Sequence, residues 1–404
     1  MARSGRLSSP GDQRESGRQQ ILDVIRGAES IARIDIAKAT GVSPATVTSI
    51  TAELLAAGLI EEVAPETSAE MRRGRPRVAL RIRGAAHRIA GLKVSHHVIS
   101  TVITDFVGQE LANHEMPLIK GSMPVPELCA QIRRALEFTC KKGGFTIDDL
   151  SGIGIGMAGM VDAQRSFIYW SSSLEARNVD LGAALAEVLP CPVFLDNDAN
   201  LVAKAEHLFG EGRTCDNFIA ITIEHGVGMG IVIDGQIYRG IRGCGAELGH
   251  TKVQLEGALC QCGQRGCLEA YVGDYALLRE ANISSGNERH SSVAALFQAA
   301  EHGDTMARSI LDRARRMFAL GLANVVNIFD PSKIILAGAR LSFDHLYSDQ
   351  LIAEMRQWVV QVDAPLPEVI VHDWGDLMWA KGAAAYAIEE VTARTVKELA
   401  YAAA

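Results

Sequence analysis

The sequence predicts an α/β protein in two unlike parts: a small helical module closed by a β-hairpin, then two similar lobes around a cleft. Three observations carry this. Apolar residues follow a helical period from Ile21 to Leu55, and two short strand-like runs come after them. A pattern of strand, break, and strand ending in Asp with a Gly-containing turn occurs twice, as VITDFVGQEL from Val102 and as IVIDGQIYRG from Ile231. Three cysteines and a histidine crowd into the segment from His250 to Cys267.

Of the 404 residues, 48% are hydrophobic and 22% charged, enough apolar surface to bury the cores of two or three domains. No stretch approaches the ~20 apolar residues of a membrane span. The N-terminus, MARSGRLSSPGDQRESGRQQ, has no apolar core of a secretory signal. Eight cysteines in a chain of this size point to the reducing cytoplasm. Cys129, Cys140, Cys191, Cys215 and Cys244 are scattered and read as packing residues. Residues 1–88 carry 14 basic against 10 acidic side chains, and the remainder 26 against 38. A basic front end on an acidic body suggests a polyanion-binding module joined to something else.

Residues 1–18 are mostly Ser, Gly, Arg and Gln and read as a disordered basic arm. Residues 19–85 read as a winged helix-turn-helix. Ile21, Leu22, Val24 and Ile25 form one apolar helical face; Arg33–Thr40 is a second helix presenting Ile34, Ile36 and Ala37. Gly41 ends it, and Ser43 caps a third helix with Pro44 at its first position. Val47, Ile50, Leu54 and Leu55 then face inward, which turns Ala45, Thr46, Thr48 and Ser49 outward. Small hydroxyl-bearing side chains suit a helix that enters a major groove. Strand-like runs at 59–63 and 77–82 flank Arg72, Arg73, Arg75 and Arg77. A hairpin tipped with arginines is a wing able to pair with phosphates or a narrow minor groove. The expected DNA contacts are therefore Ser43, Ala45, Thr46, Thr48, Ser49 and these four arginines.

Residues 86–404 form the body. Lobe one takes about 86–196 plus a C-terminal helix, 377–401, expected to pack back on it through Trp379, Ala383 and Ala384. Lobe two takes about 197–376. Strands are expected at 88–95, 98–105 and toward His114, and again at 218–224, 230–233 and 236–241. Ligands bind in clefts at strand ends. Asn197 and Asp198 follow a short strand ending at Leu195, and Glu247, His250 and Glu269 flank the cysteine cluster. Carboxylates and an amide converging on one spot are good acceptors for vicinal hydroxyls, which is the chemistry of a carbohydrate. The pocket walls are expected at 156–162 and 170–178.

His250, Cys260, Cys262 and Cys267 match a closed Cys₃His set for a structural Zn²⁺, and the spacing suits a metal better than a disulfide. Gly263 and Gly266 let the chain curl between Cys262 and Cys267. One ring nitrogen of His250 could hold the ion while the other meets a sugar hydroxyl.

At these residues the chain resembles the ROK family (repressors, open reading frames and sugar kinases), from residue 19 onward. The resemblance rests on Gly226, Gly228, Gly230, Gly235, Gly240, Gly243 and Gly245, and on the nine residues between His250 and Cys260. It implies an actin- or hexokinase-like (ribonuclease H-like) body and sugar contacts at Asn197, Asp198, Glu247, His250 and Glu269. In the kinases of the family the position of Asp198 is the catalytic base. The front end is similar to that of the repressor branch. The phosphate elements of the kinases are altered. Where D-x-G-G-T-K is expected the chain reads Lys93-Val94-Ser95-His96-His97-Val98. The second loop carries Glu224, and the adenosine segment reads Leu336-Ala337-Gly338-Ala339-Arg340. Phosphoryl transfer depends on positioning and neutralising phosphates. The expectation is therefore a cytoplasmic, sugar-responsive repressor with no catalytic residue. It would be a homodimer or homotetramer on an inverted-repeat operator, with a sugar or sugar phosphate as effector. The alternative is an ATP-dependent sugar kinase carrying an accessory DNA-binding domain.

Overall fold

Polar residues open the first helix, so its start is poorly marked in the sequence. In the computed structural model helix α1 runs from Pro10 to Gly27, well inside the segment expected to be a disordered arm up to residue 18. Arg18 is the reason this polar stretch holds: it is 1% exposed and its guanidinium donates twice to Glu53, at 2.9 and 2.7 Å. The structure describes residues 10–63, 78–95, 97–243, 245–284, 292–338, 349–360, 365–372, 375 and 377–402.

Strand β1 (Ile31–Ala32) leads into α2 (Arg33–Thr40), which stops at Gly41 with φ 69°, a left-handed value glycine adopts without a Cβ penalty. Ile36 and Ala37 are buried, but Ile34 is 45% exposed and is not part of the expected inward face. Helix α3 (Pro44–Ala56) starts where Ser43 Oγ accepts from Thr46 N–H, with Pro44 at the first turn. Val47, Ile50, Thr51 and Leu54 are buried; Leu55 is only partly so. Strands β2 (Ile60–Val63) and β3 (Ala79–Ile82) pair antiparallel and carry β1 along the other edge. This is the hairpin of a winged helix. Arg72, Arg73, Arg75 and Arg77 at its expected tip lie outside the described residues.

The body holds two five-stranded sheets of one topology. In the first, β4 (Arg88–Val94), β5 (Val98–Asp105) and β6 (Glu110–Pro117) form an antiparallel meander, with β7 (Gly152–Met157) parallel to β4 and β10 (Val193–Asn197) parallel to β7. A small hairpin, β8 (Gly159–Asp162) and β9 (Phe167–Ser171), stands beside it. In the second, β11 (Phe218–Ile223), β12 (Val227–Ile233) and β13 (Gln236–Ile237) repeat the meander, with β14 (Lys333–Ala337) and β15 (Glu368–Val371) parallel beyond β11. The repeated pattern in the sequence is thus a repeated sheet. Strand β13 is shorter than expected, ending at Ile237, although Tyr238 N–H still donates to the Ile231 carbonyl.

Helices α4 (Val125–Gly143) and α5 (Leu181–Ala186) cover the first sheet, around Leu92, Ile103, Ile132, Leu136 and Ile155. Helix α6 (Asp198–Phe209) runs between the sheets. Helices α7 (Glu269–Val272), α8 (Asp274–Ser284), α9 (Val293–Glu301), α10 (Thr305–Phe329) and α11 (Asp349–Trp358) build the far side of lobe two, where α10 buries Ile310, Leu311, Phe318 and Leu322. Helix α12 (Met378–Ala402) lies between the sheets against α6. Its Ala380 and Ala384 meet lobe one, while Met378 and Trp379 pack with Phe218, Ala220 and Val232 of lobe two. The C-terminal helix therefore belongs to both lobes.

The winged helix shares a core with the body. Ile21, Leu22, Ile25 and Val47 cluster with Val102, Phe106, Ala387 and Ile388. Arg26 donates to the Phe106 carbonyl at 2.6 Å and stacks 4.7 Å over its ring. A second attachment reaches the end of α6, where Arg213 donates to the Gly27 carbonyl at 3.2 Å.

Candidate functional site

The segment after β13 folds around the cysteines. Isolated bridges pair Lys252 with Cys267 and Leu259 with Arg265. Gly266, at φ 75°, presses on the Gln254 carbonyl so closely that no Cβ fits. The ligand atoms of His250, Cys260, Cys262 and Cys267 all lie within 4.8 Å of one another. Cys262 and Cys267 sulfurs are 3.7 Å apart, as are Cys260 Sγ and His250 Nδ1. A tetrahedral zinc with Zn–S near 2.3 Å needs sulfurs about 3.8 Å apart, so the donor set fits such an ion. Burial pushes the Cys267 thiol up to about 11, Lys252 opposes this by donating to its sulfur at 2.9 Å, and Cys262 and Cys260 add to it.

The cluster aims its histidine at the cleft. His250 turns Nδ1 toward Cys260, and its Nε2 lies 4.0 Å from Glu247 Oε2. Glu269 begins α7 two residues beyond Cys267, with Oε1 3.5 Å from Cys260 Sγ and within reach of the Tyr275 hydroxyl at 3.3 Å. Across the cleft Asn197 caps α6. Its Oδ1 accepts from Ala199 N–H at 2.9 Å and its Nδ2 donates to the Gly159 carbonyl at 2.9 Å. Asp198 opens that helix. Partial burial raises the pKa of Glu247; His250 opposes the rise, and the carboxyl groups of Asp198 and Glu269 reinforce it. Asp198, Glu247, His250 and Glu269 thus share one electrostatic neighbourhood, and Asn197 holds the strand–helix junction beneath it. Of the expected walls, the β8–β9 hairpin borders this region: Gly159 receives Asn197, and a Cβ at Gly243 would come within 2.7 Å of the Val161 carbonyl.

Side chains meet where the phosphate loops of the kinases were expected. Lys93, at the end of β4, donates to Glu224 Oε2 at 2.8 Å and stands 3.5 Å over the Trp379 ring. Ser95 ties the β4–β5 turn by donating to the Val98 carbonyl and accepting its N–H. Glu224 N–H donates to the Gly226 carbonyl, tightening the β11–β12 turn. Ala339 and Arg340 of the third expected element lie outside the described residues.

Sequence reasoning missed a second inter-lobe contact. Asp196, 1% exposed, accepts a forked pair of hydrogen bonds from Arg239 at 2.8 and 2.6 Å and another from Asn200 at 3.0 Å. Arg239 begins the loop that carries Glu247, so this pair fixes one wall of the site against β10. Removing one partner of such a pair leaves an uncompensated charge, so Arg239→Met is expected to cost about 3–5 kcal/mol. Chemical denaturation would read this. A midpoint equal to that of the unaltered protein would show that Asp196 is solvated instead. The signal was present only as Asp196 beside Asn197; nothing local pointed to Arg239.

On the winged helix, the cap residue Ser43 and Ala45, Thr46, Thr48 and Ser49 of α3 are all exposed. Thr46 and Thr48 spend a hydroxyl contact within the first turns, on Ser43 and on the Pro44 carbonyl.

Comparison with known proteins adds the family. A family model described as the ROK family matches residues 89–390, and one described as winged helix-turn-helix DNA-binding matches residues 18–61. The chain is 29% identical over 355 residues to a xylose repressor of Caldicellulosiruptor bescii, covering 84% of this chain and 88% of that one. It is 27% identical over 348 residues to the DNA-binding transcriptional dual regulator NagC of Escherichia coli, covering 82% and 84%. Among solved structures, a ROK family transcriptional regulator, a homolog of the E. coli MLC protein, superposes with TM-score 0.81 at 24% identity over 97% of this chain and 100% of that one. A ROK family glucokinase from Streptomyces griseus, in complex with glucose and AMPPNP, gives TM-score 0.65 at 28% identity over 74% and 99%. The kinase match lacks a quarter of this chain, whereas the regulator match spans both its parts. With a ROK domain over residues 89–390 behind a winged helix-turn-helix, the chain belongs to the ROK family.

Proposed function

We propose that the protein is a sugar-responsive transcriptional repressor that does not transfer phosphate. One observation carries the reading: an exposed DNA-type helix stands on a domain whose core is continuous with α12, and α12 runs through the cleft between the lobes. A ligand in that cleft acts on DNA affinity only if it binds two lobe arrangements unequally. A coupling of about 1–3 kcal/mol is ordinary for such systems. The names of the relatives, xylose repressor and transcriptional regulator, support the same reading over that of a kinase.

In this proposal Asp198, Glu247, His250 and Glu269 accept and donate to sugar hydroxyls, with Asn197 holding their frame. His250, Cys260, Cys262 and Cys267 hold a structural Zn²⁺, which would supply no open coordination position for chemistry. Ser43, Ala45, Thr46, Thr48 and Ser49 meet the operator, with Arg72, Arg73, Arg75 and Arg77 on the wing. The protein works in the cytoplasm as a homodimer or homotetramer on an inverted repeat. No described helix is long and apolar enough to cross a membrane.

Ser49→Glu tests the DNA face. Like charges brought together at an interface cost several kcal/mol, so operator affinity should fall at least ~100-fold at fixed salt, as read by fluorescence anisotropy on a fragment of the protein's own promoter. The thermal midpoint should hold, because Ser49 is exposed. Undiminished binding would remove α3 from the interface. A thermal-shift screen of monosaccharides tests the effector half.

A further inference from the structure

Lys93 and Glu224 pair beside the residues that carry the proposed sugar site. Lys93 stands in register opposite Gly156 on β7, and a Cβ at Gly156 would lie 3.8 Å from the Asp198 Cα. Glu224 opens the turn whose Val227 N–H reaches Glu269 Oε2 at 3.4 Å, and a Cβ at Gly226 would come within 2.6 Å of that same oxygen. The ion pair therefore stands between Gly156 of lobe one, which lies under Asp198, and Gly226 of lobe two, which lies under Glu269. Its ammonium is held from two directions, by Glu224 Oε2 at 2.8 Å and by the Trp379 ring at 3.5 Å, and only 13% of the Lys93 side chain is exposed.

Asp198, Glu247 and Glu269 share one electrostatic neighbourhood, and Lys93 is already matched to a further carboxylate, Glu224. Carboxylates accept hydrogen bonds from hydroxyls and so suit an uncharged polyol. A phosphate monoester carries ~−1.5 to −2 charge at neutral pH and asks for cations and N–H donors. To use Lys93 it would have to share the ammonium with Glu224 or displace it, which brings a dianion against a partly buried carboxylate. Discrimination built from a repulsive element of this kind is a general route to specificity.

We infer that the effector is a neutral sugar, unphosphorylated at the end that faces Lys93, and that the Lys93–Glu224 pair excludes the phosphorylated forms. The inference rests on the cleft being the effector site.

The test uses the full-length protein and calorimetric titration with glucose, xylose, N-acetylglucosamine and the 6-phosphates of the two hexoses. At least one neutral sugar should bind, and it should bind at least ~10-fold tighter than its phosphate, a factor worth about 1.4 kcal/mol. Glu224→Gln releases the ammonium and should lower that ratio at least ~10-fold. Adding Lys93→Met to Glu224→Gln removes the cation again and should restore the exclusion, a return that mere loosening of the fold would not give. A phosphate that binds the unaltered protein as tightly as its parent sugar overturns the inference. So does a ratio unchanged by Glu224→Gln in a variant of normal thermal midpoint. Silence toward every sugar, neutral and phosphorylated alike, would instead overturn the effector reading beneath it.

Discussion

Gly154→Val should lower the thermal midpoint by about 6–12 °C, the shift that a loss of about 3 kcal/mol causes in a domain of this size. Gly154 lies on β7 with α12 pressed against it: a Cβ there would collide with the Ala383 carbonyl oxygen itself. The neighbouring strand repeats the arrangement, because a Cβ at Gly91 on β4 would come within 2.8 Å of Ala384 Cβ and strike the backbone of α12. A flexible side chain could move aside, but the clash is with main chain, so the helix must move. Helix α12 also carries part of the core shared with Ile21, Leu22 and Ile25. Its displacement should therefore loosen the winged helix too, visible as earlier protease cleavage near α1. Gly27→Ala is the control. A Cβ there meets nothing within 4 Å and the residue ends a helix, so stability should hold or rise by up to about 1 kcal/mol. Equal effects of the two substitutions would mean that α12 does not pack as described.

Cys262→Ser should abolish the sugar response while leaving the protein folded. Cys262 is the exposed member of the cluster, so losing its sulfur creates no cavity, unlike Cys267 at 0% exposure. It removes one of four donors. The loss of metal affinity should exceed the roughly 10–100-fold that follows from losing a mere supporting partner of a ligand. In the proposed centre the ion would tie His250 to Cys260, so its loss should loosen the loop that carries His250 and Glu269. Zinc content by elemental analysis should fall well below that of the unaltered protein. Operator affinity in the presence and absence of sugar should become the same. A metal-free variant with full induction would sever the cluster from the response.

The parts of this molecule that were legible in the sequence are those with local signatures. Ser43 with Pro44 and Gly41 marked both ends of the turn before α3, because capping chemistry is decided within four residues. The doubled meander was visible because each copy keeps its own strand, turn and glycine. The Cys/His cluster was visible because its four members lie close in the chain. What stayed hidden depends on residues far apart. Arg18 reads as one more polar residue of a basic arm until Glu53, 35 positions on, is found beside it. Lys93 and Glu224 were each read as damage to a phosphate loop; that they neutralise one another across 131 positions has no local trace. Trp379 was assigned to lobe one from its place on α12; its ring lies under Lys93 of lobe one and also packs with Phe218 and Val232 of lobe two, because a helix lying between two sheets has two buried faces.

The double attachment of α1 has a mechanical corollary. One end of its tether, Arg26 on the Phe106 carbonyl, is rooted in the first sheet; the other, the Gly27 carbonyl under Arg213, is rooted where α6 leaves for the second. A hinge motion between the sheets cannot preserve both moorings unless α1 tilts with it. In the proposed function the inclination of α3 would thereby be geared to the opening of the cleft at Asp198, at the opposite tip of that same α6, ~17 Å away at 1.5 Å per residue.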